Sequence, residues 1–262
     1  MKWIEVKPEE VSKLATETDV ILVPIGCIES HGPHMPSGAD GYMAEAVAVE
    51  AAKIEKALVF PTLYMNVCCA GKPLPGVEFQ LKAPTVSFPF NLMTDIIKQI
   101  AMEAARLGFP KVLCVAGHAP TRGPLVAAQS EIQEEAQALH AMGKAVPILF
   151  WTDLWALCSQ TGKELGLDIE HAGGWETALT AAAVPEFVDL EMAKELPPNE
   201  DFPSTIKGLT YVHNWPKTAP NGYQGRPGDA TVELGKKSLK AGAEALANLI
   251  KSLREYDISR DI

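Results

Sequence analysis

Residues 26–40, GCIESHGPHMPSGAD, bring carboxylate and imidazole side chains together within one short stretch, and those two groups form a ligand set for borderline divalent metals. The candidate donors are Glu29, His31, His34 and Asp40. Glu29 and His31 are two apart, so an extended segment points both to one side, and Asp40 can return to them after the Gly/Pro-rich turn. The same residues also read as a polar loop whose His and Asp cap the helix that begins near Tyr42. His118 weighs against that reading. It directly follows a third apolar run and Gly117, so a second imidazole reaches the same sheet edge.

A third polar group, Glu170, His171 and Glu176 in IEHAGGWETA, opens a helix near Trp175. Its glycine pair lets backbone approach a ligand, and the helix N-terminus favours negative charge. His171 is a candidate general base, with Glu170 beside it to orient the ring and raise its basicity. Taken alone, Glu170 and Glu176 equally well serve the helix dipole and solvent.

The elements that must position these groups follow from the apolar pattern. Residues 19–26, 57–64, 111–116 and 145–151 are short, β-branched runs without alternation, as in strands buried on both faces. Helical patterns lie between them, clearest at 91–107, where Leu92, Ile96, Ile100 and Ala104 recur and Gly108 is a stop signal. Others run about 42–56, 124–142, 175–183 and 234–254. Strand and helix in alternation predict a mostly parallel sheet covered on both faces, an α/β fold with its ligand crevice beyond the carboxyl ends of the strands. Two Pro/Gly-rich stretches with aromatic residues, 70–84 and 196–228, read as ordered loops that form site walls or subunit contacts.

The 262 residues carry no repeat or second-domain boundary and suit one domain that buries roughly 75% of its unfolded surface. Five cysteines without a CxxC pair favour a reducing cytoplasm over a disulfide framework. The first residues offer no signal-peptide core, and the longest apolar stretch, 20–25, is too short to span a bilayer. A net charge of −10 without a basic stripe argues against a nucleic-acid partner, because binding a phosphate backbone needs a basic face.

Together these segments resemble the creatininase family of amidohydrolases. ESHGPHMPSGAD is similar to that family's EQHGPHLPLGTD signature, GFPKVLCVAGHAPTRGPL to its strand leading into a GHGGN-type turn, HAGGWETA to HAGxxETS, and NGYQGRPGDATVELG to its GxxGDPxxAT stretch. They occur in the expected order from Val20 to about Lys236. The resemblance implies a three-layer α/β/α fold, a homo-oligomer that is commonly a hexamer, and Zn, Mn or Fe(II) in the crevice, one or two ions per chain. By it, Glu29, Asp40 and His118 match the ligands of one metal, His31 and the shared Asp40 those of a second, and Glu170 and His171 the catalytic carboxylate and histidine.

Two departures bear on function. Where creatininase has a second-metal carboxylate, two residues after the histidine, this chain has Pro120, which cannot ligate. Either one ion sits among Glu29, His31, Asp40 and His118, the preferred reading, or Glu176 supplies the missing oxygen. GHAPTRG also puts Arg122 near the pocket, where a guanidinium can recognise a carboxylate, a phosphate or a polyhydroxylated ring, unless it is simply exposed at a helix start. Trp151, Trp155 and Trp175 are candidate pocket walls, with buried packing the alternative for at least one.

The expected chemistry is water attack on a C–N bond of a small cyclic amide or formamide, with His171 shuttling a proton to the leaving nitrogen. The first alternative is hydrolytic C–C opening of an oxidised cyclitol or cyclic diketone. The second is a binding or assembly protein that keeps the fold without turnover.

Overall fold

The computed structural model describes residues 1–68, 85–200 and 218–260. Val20–Ile25 (β1), Leu58–Val59 (β2), Lys111–Ala116 (β3) and Ile148–Asp153 (β4) form one parallel sheet in the order β2-β1-β3-β4. Every residue of β1 and β3 is buried, as their apolar runs require, and Lys111 at the start of β3 is paired with Asp19 at 2.8 Å. The two strands pair from Val20↔Lys111 to Ile25↔Ala116, so their carboxyl ends finish level with each other.

The helices are α1 (Pro8–Leu14), α2 (Ala39–Ile54), α3 (Phe90–Arg106), α4 (Arg122–Ala141), α5 (Gln160–Glu164), α6 (Gly174–Ala183), α7 (Leu190–Glu195) and α8 (Val232–Glu255). Side chains alternate between the faces of each strand. Val20, Leu22, Leu113 and Val115 pack with Met43, Ala178 and Leu246 of α2, α6 and α8. Ile21, Val23, Val112 and Cys114 pack with Leu14, Ile97 and Ile132 of α1, α3 and α4. The fold is therefore three layers, α/β/α, and each fully buried Leu or Ile contributes roughly 1.5–3 kcal/mol to it.

Three sequence expectations need correction. Of residues 57–64 only Leu58–Val59 are strand. The segment still runs beside β1, with Phe60 N donating to Leu22 O at 2.8 Å and Leu63 N to Pro24 O at 3.0 Å, but Pro61 has no N–H to carry the ladder between them. The fourth strand begins after Pro147 and runs on to Asp153, which places Trp151 inside an edge strand. In α3 the buried stripe is Met93, Ile97, Ala101 and Ala104, while Leu92 is 41% exposed. A strict step of four drifts about 40° per repeat around a helix of 3.6 residues per turn, so a straight stripe must mix steps of four and three. The loop 70–84 and residues 201–217 of the loop 196–228 lie outside the described residues.

Two glycines let α2 start directly above the sheet. A Cβ at Gly26 would lie 2.2 Å from Gly41 N, and one at Gly117 would lie 2.1 Å from Asp40 O. Only hydrogen at both positions allows the first turn of α2, with Asp40 in it, to sit against the ends of β1 and β3.

Candidate metal centre

Asp40 presents its two oxygens to different imidazoles. Oδ1 lies 3.0 Å from His31 Nε2, and Oδ2 lies 3.1 Å from His118 Nδ1, which is also 3.1 Å from Glu29 Oε2. All four residues are buried. The far nitrogen of each ring is claimed by a backbone carbonyl, His31 Nδ1 by Glu29 O at 3.1 Å and His118 Nε2 by Val67 O at 3.0 Å. A carbonyl only accepts, so each ring places one proton there and turns its other nitrogen toward Asp40, the atom at which a second proton and a cation compete. Asp40 Oδ2 is buried and accepts no hydrogen bond, although His118 lies within ion-pair distance. An inward-facing carboxylate oxygen of this kind, among two imidazole nitrogens and a second carboxylate, fits a divalent cation that displaces the ring protons.

Glu176, in the first turn of α6, completes the other side. Its Oε2 accepts from Ala172 N at 2.7 Å and lies 3.9 Å from His31 Nε2 and 4.0 Å from His171 Nδ1. His171 Nε2 donates to Ser30 O at 2.8 Å, which leaves Nδ1 as the ring's basic atom, and its ring centroid is 4.4 Å from that of His31. Two donor groups have ligand atoms within 4.8 Å of one another here, Glu29–Asp40–His118 and Glu29–His31–His171.

The electrostatics are those of a cluster in which protons and cations compete for the same atoms. Burial opposes ionisation throughout, yet the neighbouring charges prevail at four groups. His171 and His118 bring Glu29 down to about 2, and His31 and His118 hold Asp40 well below the usual carboxylate range. Asp40 lifts His31 to about 10, while Asp40, Cys68 and Glu29 raise His118 well above its ordinary value. At the other two groups burial wins. It pushes Glu176 up to about 8 against the attraction of His31, and burial together with the charge of His31 lowers His171 and favours its neutral, basic form.

The remaining candidates separate. His34 turns away from the cluster, with Nε2 2.9 Å from Thr177 Oγ1 and its ring edge-on to Tyr223. Glu170 is half-buried, and its side chain makes no hydrogen bond or ion pair among the described residues; the carboxylate facing His171 Nδ1 is that of Glu176. Trp175 is fully buried, donates from Nε1 to Ser238 Oγ at 2.8 Å and belongs to the core rather than to the wall of the cavity beside His118. Its place next to Gly174 in sequence pointed to the crevice, but the helical turn rotates it onto α8. Arg122 is both exposed at the first position of α4 and on the wall of a cavity of about 390 Å³, with His118, Trp151, Asp153 and Trp155.

Two positioning residues carried no sequence signal. Asp168 accepts from Glu170 N at 3.3 Å, Gly174 N at 3.1 Å and Arg226 N at 2.8 Å, tying the His171 loop to the segment before α8. Buried Asn66 donates to Gly26 O at 2.9 Å and Thr121 Oγ1 at 2.7 Å and accepts from Val67 N at 2.8 Å. An Asp or Asn in a loop is ordinary turn composition, and only the chain's return past it turns it into a clamp.

The creatininase family model, creatinine amidohydrolase, matches residues 5–250. The chain belongs to the creatininase family of metal-dependent amidohydrolases. A creatinine amidohydrolase of Pseudomonas putida is 29% identical over 195 residues, 72% of this chain and 74% of the relative. A 3-dehydro-scyllo-inosose hydrolase of Thermotoga maritima is 23% identical over 272 residues, 94% of this chain and 81% of that one. The fold is similar to a crystal structure of creatinine amidohydrolase, with TM-score 0.76, 23% identity and 98% of each chain covered. It also matches a Zn-Zn type mutant creatininase, with TM-score 0.77, 24% identity, 97% of this chain and 98% of that one. The donor groups around Asp40 are suited to a divalent metal. Among the described residues no helix is long and apolar enough to cross a membrane.

Proposed function

We propose that this creatininase-family hydrolase cleaves the C–N bond of a small cyclic amide or formamide at a two-ion centre. Glu29, Asp40 and His118 would hold one ion, and His31, Asp40 and Glu176 the other. The observation that carries this reading is the division of Asp40, whose Oδ1 and Oδ2 face separate imidazoles at 3.0 and 3.1 Å, each ring held in its tautomer by a carbonyl. It departs from the single ion preferred from the sequence, because buried Glu176, 3.9 Å from His31 Nε2, offers a carboxylate oxygen of the kind that Pro120 cannot supply.

Divalent ions supply Lewis acidity to a substrate carbonyl and acidify water. His171 Nδ1, its tautomer held by Ser30 O, takes the proton of the attacking water and returns it to the leaving nitrogen. Glu176, 4.0 Å from that nitrogen, takes the orienting part that the sequence assigned to Glu170. Arg122 and the tryptophans Trp151 and Trp155 shape the cavity beside His118 and select the substrate. Zinc, manganese or iron(II), a cytoplasmic setting for cysteines that form no disulfide among the described residues, and a homo-oligomer such as a hexamer complete the proposal.

A second substrate reading draws on the inosose hydrolase relative, namely hydrolytic C–C opening of an oxidised cyclitol. Arg122, which makes no ion pair among the described residues, and Asp153 on the same cavity wall provide polar partners for a hydroxylated ring. Turnover of a lactam and formamide panel against oxidised inositols separates the two.

Metal content by mass spectrometry tests the centre. Wild type is expected to carry two ions per chain, His118→Ala and Glu176→Gln one fewer each, and His171→Ala both, with turnover reduced by about two to three orders of magnitude. One ion in wild type, unchanged in Glu176→Gln, would overturn the two-ion centre.

A further inference from the structure

Beside the oxygen-rich half of the centre lies sulfur. Cys68 Sγ donates to Glu29 Oε1 at 3.2 Å, and ligand atoms of Cys27, Cys68 and His118 all lie within 4.8 Å of one another. Cys68 therefore touches the carboxylate and neighbours the imidazole that, with Asp40, make the first donor group. We infer that Cys68 is a fourth protein ligand of the ion held by Glu29, Asp40 and His118, and that its sulfur biases this position toward zinc over manganese.

Three observations support the assignment. Buried Asp40 Oδ2 accepts no hydrogen bond and lies 3.1 Å from His118 Nδ1 in the same donor group, so a cation is called for beside the Glu29 carboxylate that Cys68 touches. The backbone that delivers the sulfur is gripped. Asn66 holds Val67 N, Val67 O receives His118 Nε2, and the Ser87 hydroxyl accepts from Cys68 N at 3.0 Å and donates to Cys68 O at 3.3 Å. The thiol proton now points at a carboxylate oxygen that an ion would also use, so both atoms are freed by one proton leaving to solvent as the ion enters. Thiolate is the ligand form of cysteine, and soft sulfur favours zinc where an all-oxygen and imidazole set accommodates manganese. Cys27, its sulfur within 4.8 Å of that of Cys68, is fully buried.

The inference rests on the metal centre proposed above, and cobalt(II) distinguishes the failure of either. Protein stripped with a chelator and reloaded with cobalt is expected to show visible d–d bands together with a near-ultraviolet sulfur-to-metal charge-transfer band. That band should vanish in Cys68→Ser with the d–d bands retained, and survive in Cys27→Ala. Iodoacetamide should label Cys68 in the stripped wild type and be excluded in the loaded protein, read by peptide mass spectrometry. Zinc preference over manganese, read by competition, should fall in Cys68→Ser by at least about tenfold, the lower end of what losing even an outer partner of a ligand costs. Cobalt bound with d–d bands but no charge-transfer band, or labelling of Cys68 unaffected by metal, overturns the sulfur ligand and leaves the centre standing. Failure of wild type to bind cobalt overturns both.

Discussion

The two sides of Asp40 are built differently. On one, Glu29 and His118 follow the carboxyl ends of β1 and β3 by four and two residues, strands paired along their whole length, and the donor atoms stand 3.1 Å apart. On the other, His31, 3.0 Å from Asp40, His171 and Glu176 come from loops and a helix start, and Glu176 stands 3.9 and 4.0 Å from the two rings. The strand side is held by the sheet itself, whereas the loop side depends on a few side-chain clamps and one strained residue. The contrast shows where evolution can vary chemistry at low cost, since loops can be re-aimed without disturbing the buried strands.

The largest expected effect is on acid stability, and it falls on the loop side. Burial, then the charge of His31, lowers buried His34 from 6.5 to about 4. Between those values the unfolded chain binds the proton and the folded one does not. Stability is therefore complete above about pH 6.5 and falls as the pH drops toward 4, by up to about 3 kcal/mol. Urea unfolding should show His34→Gln losing correspondingly less between pH 7 and 4. Equal losses in both proteins would mean that the site around α6 tolerates the charge.

Asp168→Ala should come next. It removes the acceptor of three backbone N–H groups and is expected to cost about 2 kcal/mol, with kcat falling further than metal content as His171 loses its place. Loss of ions from both sides in parallel would erase the distinction between them. The smallest effect is expected at Ala172, whose φ of 51° lies in the left-handed region and turns its N–H toward Glu176. Ala172→Gly should relieve that strain by about 0.5–1 kcal/mol, partly offset by glycine's unfolded entropy, with activity retained. A clear loss of stability would show that the left-handed turn is held without cost.

Much of the centre is legible in the chain itself. Glu29, His31, Asp40 and His118 stand out because imidazole and carboxylate cluster just after apolar runs, and the runs predict the strands that lead into them. The π-helical turn Trp155–Ser159 and the short helices α1, α5 and α7 escape such a reading, since elements this short carry little periodicity. Trp175 misleads for a related reason. Its neighbours Gly174 and Glu176 belong to the site, but side chains one apart on a helix point about 100° away from each other. Trp175 therefore faces Ser238 while Glu176 faces His31.

By itself the sequence determined the layered α/β fold, the sheet edge that carries the chemistry and the four donors nearest it, because apolar periodicity and residue type are local properties. Only the tertiary structure decided that Asp40 bridges two imidazoles, that Glu176 rather than Glu170 faces His171, and that Cys68 reaches Glu29. Each of these is a contact between groups brought together by packing across the strand ends. Distances of a few ångströms between such groups depend on how closely two glycines let α2 approach the sheet, which no local pattern encodes.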